Sequence, residues 1–177
     1  FFNGHTNITS SRFLVFGVKG MLSAAKNVRN AMLFNVLSFM SDKLLTVGNT
    51  VAALDELYIW LSNPTAIEYI RNCLKRVRKK ESAMLLASQN LEDFDQEGVR
   101  EMTKPLFSIP PHQFLFNAGS IDKRSYMDML QLEESEYNLI KFPQRGVCLY
   151  KCGNERYLLE VHAPAYKEKL FGSAGGR

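Results

Sequence analysis

Two stretches decide the fold: Thr50-Val51-Ala52-Ala53-Leu54-Asp55-Glu56 and Ala83-Met84-Leu85-Leu86-Ala87-Ser88-Gln89-Asn90. Each is a short apolar run that ends abruptly in polar side chains. Apolar runs of this length read as strands buried on both faces. Between them, Ser62-Asn63-Pro64 opens a helical pattern. Asn63 is a capping residue and Pro64 a pre-set first position. Ile67, Ile70, Leu74 and Val77 then supply a core stripe. A strand, a crossover helix and a second strand predict a parallel pair with both carboxyl ends on the same side.

Working outward, Phe13-Leu14-Val15-Phe16-Gly17-Val18 reads as a further buried strand. A long helical pattern runs from about Ala24 to Leu45, with Val28, Met32, Val36, Met40 and Leu44 four apart on one stripe that Leu33, Leu37 and Phe34 widen. Gly48-Asn49 breaks it. Downstream, a helix is expected near Gln96 to Phe107, stopped by Pro110-Pro111, and Gln113 to Phe116 is a fourth strand. Asp122 to Leu130 and Glu133 to Ile140 read as short helices. Arg145 to Lys151 and Arg156 to His162 form a hairpin around Gly153-Asn154, an antiparallel addition at a sheet edge. The pattern predicts an α/β class with a mostly parallel sheet flanked by helices. Residues 1–170 read as one unit and 171–177 as a flexible tail.

The 177 residues are 46% hydrophobic and 23% charged, a globular mix that excludes a disordered chain. No apolar run reaches the ~18 residues of a membrane span. Three cysteines, Cys73, Cys148 and Cys152, with three scattered histidines fit neither a disulfide framework nor a zinc site. A reducing, cytoplasmic setting is the simpler reading. A net charge of +4 is a weak pointer to nucleic acid or a membrane surface. The start at Phe1, without an initiating Met, reads as a piece of a longer protein.

In open α/β sheets ligands sit at the carboxyl ends of strands. Asp55-Glu56 closes one such end and Gln89 the next. Paired acids there are costly unless they face a cleft, a metal or a partner. In nucleotide hydrolases one acid holds the Mg²⁺ shell and another polarises the attacking water, while an amide positions water or senses the γ-phosphate. An ordinary acidic loop is the plainer alternative for each residue separately. The basic run Lys75, Arg76, Arg78, Lys79 and Lys80 is a solvated helix end, a phosphate ligand or a DNA-backbone contact. The phosphate cradle Gly-x-x-x-x-Gly-Lys-Ser/Thr has no match in the chain. Spacing therefore gives half of a nucleotide site.

Phe2-Asn3-Gly4-His5-Thr6-Asn7 followed by Phe13-Leu14-Val15-Phe16 resembles the segment before the long helix in the large conjugation ATPases. Val51-Ala52-Ala53-Leu54-Asp55-Glu56 is similar to their Walker B strand. Leu74-Lys75-Arg76-Val77-Arg78-Lys79-Lys80 and Met84-Leu85-Leu86-Ala87-Ser88-Gln89-Asn90-Leu91-Glu92-Asp93-Phe94 resemble the family's Gly-Arg-Lys and Ala-Thr-Gln-Asn-x-x-Asp-Phe motifs. The family is the VirB-type (TraC/TraE/TrbE-like) ATPase of type IV secretion and conjugative elements, related to the FtsK/HerA pumps. The resemblance runs from Phe1 to about Leu170, over the C-terminal part of the motor domain. Val77 stands where the family has Gly, Ser88 where it has Thr, and Leu57-Tyr58 where it tends to have Ala-Trp.

The resemblance implies a RecA-like P-loop NTPase core lacking its Walker A strand, which would lie upstream of Phe1. ATP and Mg²⁺ are the implied cofactors. Asp55 becomes the Mg²⁺-shell acid, Glu56 the catalytic acid, Gln89 the γ-phosphate sensor and Arg78 the transition-state arginine. Implied partners are further copies of itself, as a hexamer, other type IV secretion components and DNA. The implied place is the cytoplasmic face of the bacterial inner membrane. The 177 residues taken singly are expected to be inactive and to leave sheet edges and apolar surface uncovered. Two alternatives stay open: an inactive assembly module of the same fold, and a DNA pump of the FtsK/HerA type.

Overall fold

A computed structural model describes residues 11–21, 23–61, 63–89, 91–94, 98–117, 119–142 and 144–172. The Phe2–Asn7 motif, Asn90 and, of the expected tail 171–177, residues 173–177 lie outside the described residues; Phe171 closes the last helix.

The first long helix, α1 (Lys26–Asp42), runs on into one wide π turn, Lys43–Val47. Its buried side chains are Leu33, Leu37, Met40 and Leu44, spaced four, three and four apart as one helix face requires. All four lie on the expected widened face, while Val28, Met32 and Val36 of its central stripe are only half-buried. Gly48 stops the helix at φ 78°. A Cβ there would meet the Lys80 carbonyl oxygen at 2.9 Å, so this tight exit takes glycine on both counts.

Strand β1 (Val51–Leu54) follows, then a short helix α2 (Tyr58–Leu61) and helix α3 (Pro64–Arg76), which tightens into a 3₁₀ turn at Val77–Lys80. Asn63 caps α3 as expected, its Oδ1 accepting from the N–H groups of Thr65 at 3.0 Å and Ala66 at 3.4 Å. Ile67, Ile70, Cys73 and Val77 face the core. Strand β2 (Ala83–Leu86) then pairs with β1 in parallel, Val51 opposite Ala83 and Leu54 opposite Leu86. At the entry to the strands, the Thr50 N–H donates to Ser82 Oγ, and that hydroxyl donates to the Leu44 carbonyl at 2.9 Å. These bonds tie the end of α1 to the start of the sheet.

The second half holds α4 (Arg100–Ser108), β3 (His112–Leu115), α5 (Lys123–Leu130), α6 (Glu134–Ile140), β4 (Val147–Cys152), β5 (Glu155–Glu160) and α7 (Ala165–Phe171). Strand order in its sheet is β3-β4-β5, antiparallel throughout. One core gathers α1, α2, α3 and the inner faces of β1 and β2; a second gathers α5, α6 and β4, and Leu91 and Phe107 touch both.

Three expectations change. Phe13 to Val18 forms no strand: Phe13 and Val15 are 82% and 74% exposed, and Phe16 meets Phe39 edge-on. Among the described residues that segment has no strand beside it to pair with. The hairpin does not extend the parallel pair, because β3 joins β4 in a separate sheet. Parallel strands therefore number two of the five described, against a mostly parallel expectation. Finally, among the described residues β1 and β2 are covered on one face only. Val51 and Leu85 are 67% and 60% exposed on the other, beside exposed Ala53 and Ala83.

Candidate functional site at the carboxyl ends of the parallel strands

The pairing of β1 with β2 continues past their last ladder residues. The Ala87 N–H donates to the Leu54 carbonyl at 2.9 Å, and the Leu57 N–H donates to the Ala87 carbonyl at 3.0 Å. Two strand ends held in step bring the polar residues that follow them side by side. Gln89 Nε2 donates to Glu56 Oε1 at 2.8 Å, across 33 positions of sequence. The Glu56 N–H donates to Asp55 Oδ1 at 2.9 Å. Asp55 and Gln89 are exposed and Glu56 is half-buried, so the group opens to solvent.

Glu56 reaches this position at φ 54°, a left-handed conformation that costs a non-glycine residue about 1 kcal/mol or more. The turn lets Asp55 and Glu56, though adjacent, aim differently. Immediately after it, Leu57, Ile59, Trp60 and Leu61 are buried and anchor the loop to the core. Trp60 is thus a packing residue, and Leu57 fills the core where the family motif tends to have Ala. The spacing Leu57-x-x-Trp60 is the sequence signal for this anchor.

Asp55 Oδ1 is occupied by the neighbouring N–H, which leaves Oδ2 for a ligand. A hard carboxylate oxygen open to water suits the water shell of a Mg²⁺ ion that arrives on phosphates. Among the described residues no three His, Cys, Asp or Glu side chains converge as a metal cage.

Arg78 lies elsewhere. It is exposed in the 3₁₀ turn that precedes β2, at the amino end of the parallel pair. The turn is fastened there by the Asn49 N–H, which donates to the Lys80 carbonyl at 2.9 Å. Four strand residues, about 13 Å of β rise, separate that end from the Glu56–Gln89 end. The structure brings Asp55, Glu56 and Gln89 together and leaves Arg78 out of their reach within one subunit.

A parallel βαβ unit with an acid–amide pair at its strand ends defines an α/β protein. No family model matches the chain. The chain is 28% identical over 141 residues to the second portion of a probable conjugal transfer protein TrbE of Sinorhizobium fredii, covering 77% of this chain and 20% of that protein. It is 31% identical over 101 residues to the conjugal transfer protein TrbE of Rhizobium radiobacter, covering 56% of this chain and 12% of that protein. The structure of VirB4 of Thermoanaerobacter pseudethanolicus superimposes with a TM-score of 0.76 at 29% identity, over 87% of this chain and 42% of that one. The chain is similar to VirB4/TrbE-type conjugation proteins and spans a fifth or less of the length of these TrbE relatives.

Proposed function

We propose that the chain is the C-terminal part of an ATP-hydrolysing motor that powers conjugative type IV secretion from the cytoplasmic face of the membrane. The bond between Gln89 Nε2 and Glu56 Oε1 carries this reading. It joins two polar residues that close separate strands and that have no packing reason to meet, since both stand at the open end of the sheet. In this role Glu56 accepts a hydrogen bond, and then a proton, from the attacking water. Gln89 holds the carboxylate through one oxygen, leaving the other free for water, and its amide senses the γ-phosphate. Asp55 holds the water shell of Mg²⁺, which neutralises phosphate charge when bound with ATP. The chain has no match to the glycine-rich cradle, so this reading needs a phosphate-binding loop supplied by another part of the protein.

Arg78 then acts on a nucleotide held by a neighbouring copy, because its own subunit's acid site lies at the other end of the strands. A ring of copies, proposed as a hexamer, is therefore an element of this reading. The other basic side chains of that turn, Arg76, Lys79 and Lys80, are exposed and available to DNA or to partner subunits.

The test is ATP turnover by a longer form that carries the phosphate loop. Glu56→Gln lowers kcat by about a hundredfold or more, the usual weight of a general base. The 177 residues taken singly give no Glu56-dependent turnover. Mixing Glu56→Gln with Arg78→Ala subunits restores some of the activity, since some interfaces then combine an intact acid with an intact arginine. Full activity in Glu56→Gln, or turnover by the 177 residues that depends on Glu56, rejects the assignment.

A further inference from the structure

A second polar site lies away from the strand ends, in a cavity of about 600 Å³ bounded by α4, the end of α5 and β4. That is the size of an ordinary small-ligand pocket. Phe94 and Phe107, packed edge to face at 5.0 Å, line its apolar side. Lys104, Glu101 and Asp128 stand exposed at its rim. Lys151 reaches it from β4 and is only 8% exposed.

Lys151 is unusual because its charge is buried without a direct ion-pair partner among the described residues. Its Nζ donates to the Leu130 carbonyl, the last of α5, which accounts for one of three N–H donors. Among the described residues no carboxylate lies within ion-pair distance of it. Glu136, the acid whose field acts on Lys151, is already committed. Its Oε1 pairs with Arg156 Nε at 3.0 Å, and its Oε2 accepts from the Glu133 N–H at 2.8 Å. Burying an ammonium costs several kcal/mol unless it is paired and its donors are satisfied. Desolvation accordingly lowers the pKa of Lys151 below the ordinary lysine value.

We infer that this cavity binds a small organic anion, a phosphate or carboxylate on an apolar or aromatic body, with the anionic group on Lys151 and the body against Phe94 and Phe107. The buried cation supplies affinity for the charged end. The mixed-sign rim keeps out purely polyanionic surfaces such as duplex DNA, so the ligand is small. The site is independent of the proposed nucleotide chemistry and is read without an ATPase assay.

The test titrates the 177-residue chain with phenyl phosphate, benzoate and neutral benzyl alcohol, read by thermal shift and by amide chemical-shift changes. Phenyl phosphate or benzoate raises Tm and perturbs β4 and α4, with benzyl alcohol at least tenfold weaker; the two anions tell whether phosphate or carboxylate is preferred. Lys151→Met, which keeps the apolar stem, removes the preference for anions. Because that variant disturbs the end of α5, two further readouts stand beside it. The exposed Lys104→Glu weakens the anions several-fold, and phenyl phosphate slows acetylation of Lys151 in the unaltered chain. Equal response to the three probes, or no protection of Lys151, overturns the inference. In that case Lys151 serves only to satisfy the α5 carbonyl.

Discussion

Glu56 sits in a left-handed backbone conformation that a glutamate adopts only at a cost. Its carboxylate gains one bond from Gln89, on the exposed side of the molecule, where such a bond returns little stability. On the proposed function, the position is held for its side chain and against its backbone. Glycine relieves the left-handed strain, about 1–2 kcal/mol, and gives back about half of it in chain entropy. Glu56→Gly is expected to leave the folded chain as stable as the parent or up to about 1 kcal/mol more stable, while abolishing turnover in the longer protein. Chemical denaturation measures the first effect. A loss above about 1 kcal/mol would show that Glu56 is structural after all.

At the scale of elements, α3 does the positioning. It is the crossover that sets β2 beside β1, and its start is fixed by Asn63 and Pro64. Asn63→Ala removes the acceptor for two N–H groups and should cost about 1 kcal/mol, seen as a lower denaturation midpoint with an unchanged slope. This element was legible because its cap, first proline and apolar spacing are local signals that agree with one another. The segment from Phe13 to Val18 shows the opposite case. An apolar run states that side chains avoid water, but a strand also needs a neighbour to accept its backbone bonds, and none stands beside it among the described residues. The hairpin was recognised for the same local reasons as α3. Its joining to β3 depended on long-range pairing that no local pattern announces.

For the whole molecule, the open face of β1 and β2 is the main consequence of the architecture. Parallel sheets are ordinarily covered on both faces, and here Val51, Ala53, Ala83 and Leu85 lie bare on one. We expect the 177-residue chain to self-associate through this face. Light scattering on a dilution series should show it, and Leu85→Lys should shift the population toward monomer; a parent chain that stays monomeric at high concentration would contradict it. Stability should also fall in alkali. Burial raises the pKa of the Cys73 and Cys148 thiols and of the Tyr126 phenol, whose O–H donates to the Phe116 carbonyl. Each then keeps its proton longer folded than unfolded, so its stabilising share is intact below the unfolded pKa. The share is lost as pH rises past about 9 for the thiols and about 10 for Tyr126. Lys151, with a lowered pKa, works in the reverse sense and offsets some of the loss. Melting temperatures from pH 8 to 10.5 measure the balance, and Tyr126→Phe should flatten the upper end of the curve.

The sequence by itself determined the βαβ unit, its helix cap and the acid–acid and amide groups at the two strand ends, because periodicity, capping and strand-end polarity are all encoded within a few residues. Only the tertiary structure decided that Gln89 grips Glu56, that Glu56 turns through left-handed space and that Arg78 stands at the far end of the strands. Those facts depend on register, and register is set by how two distant segments pack together.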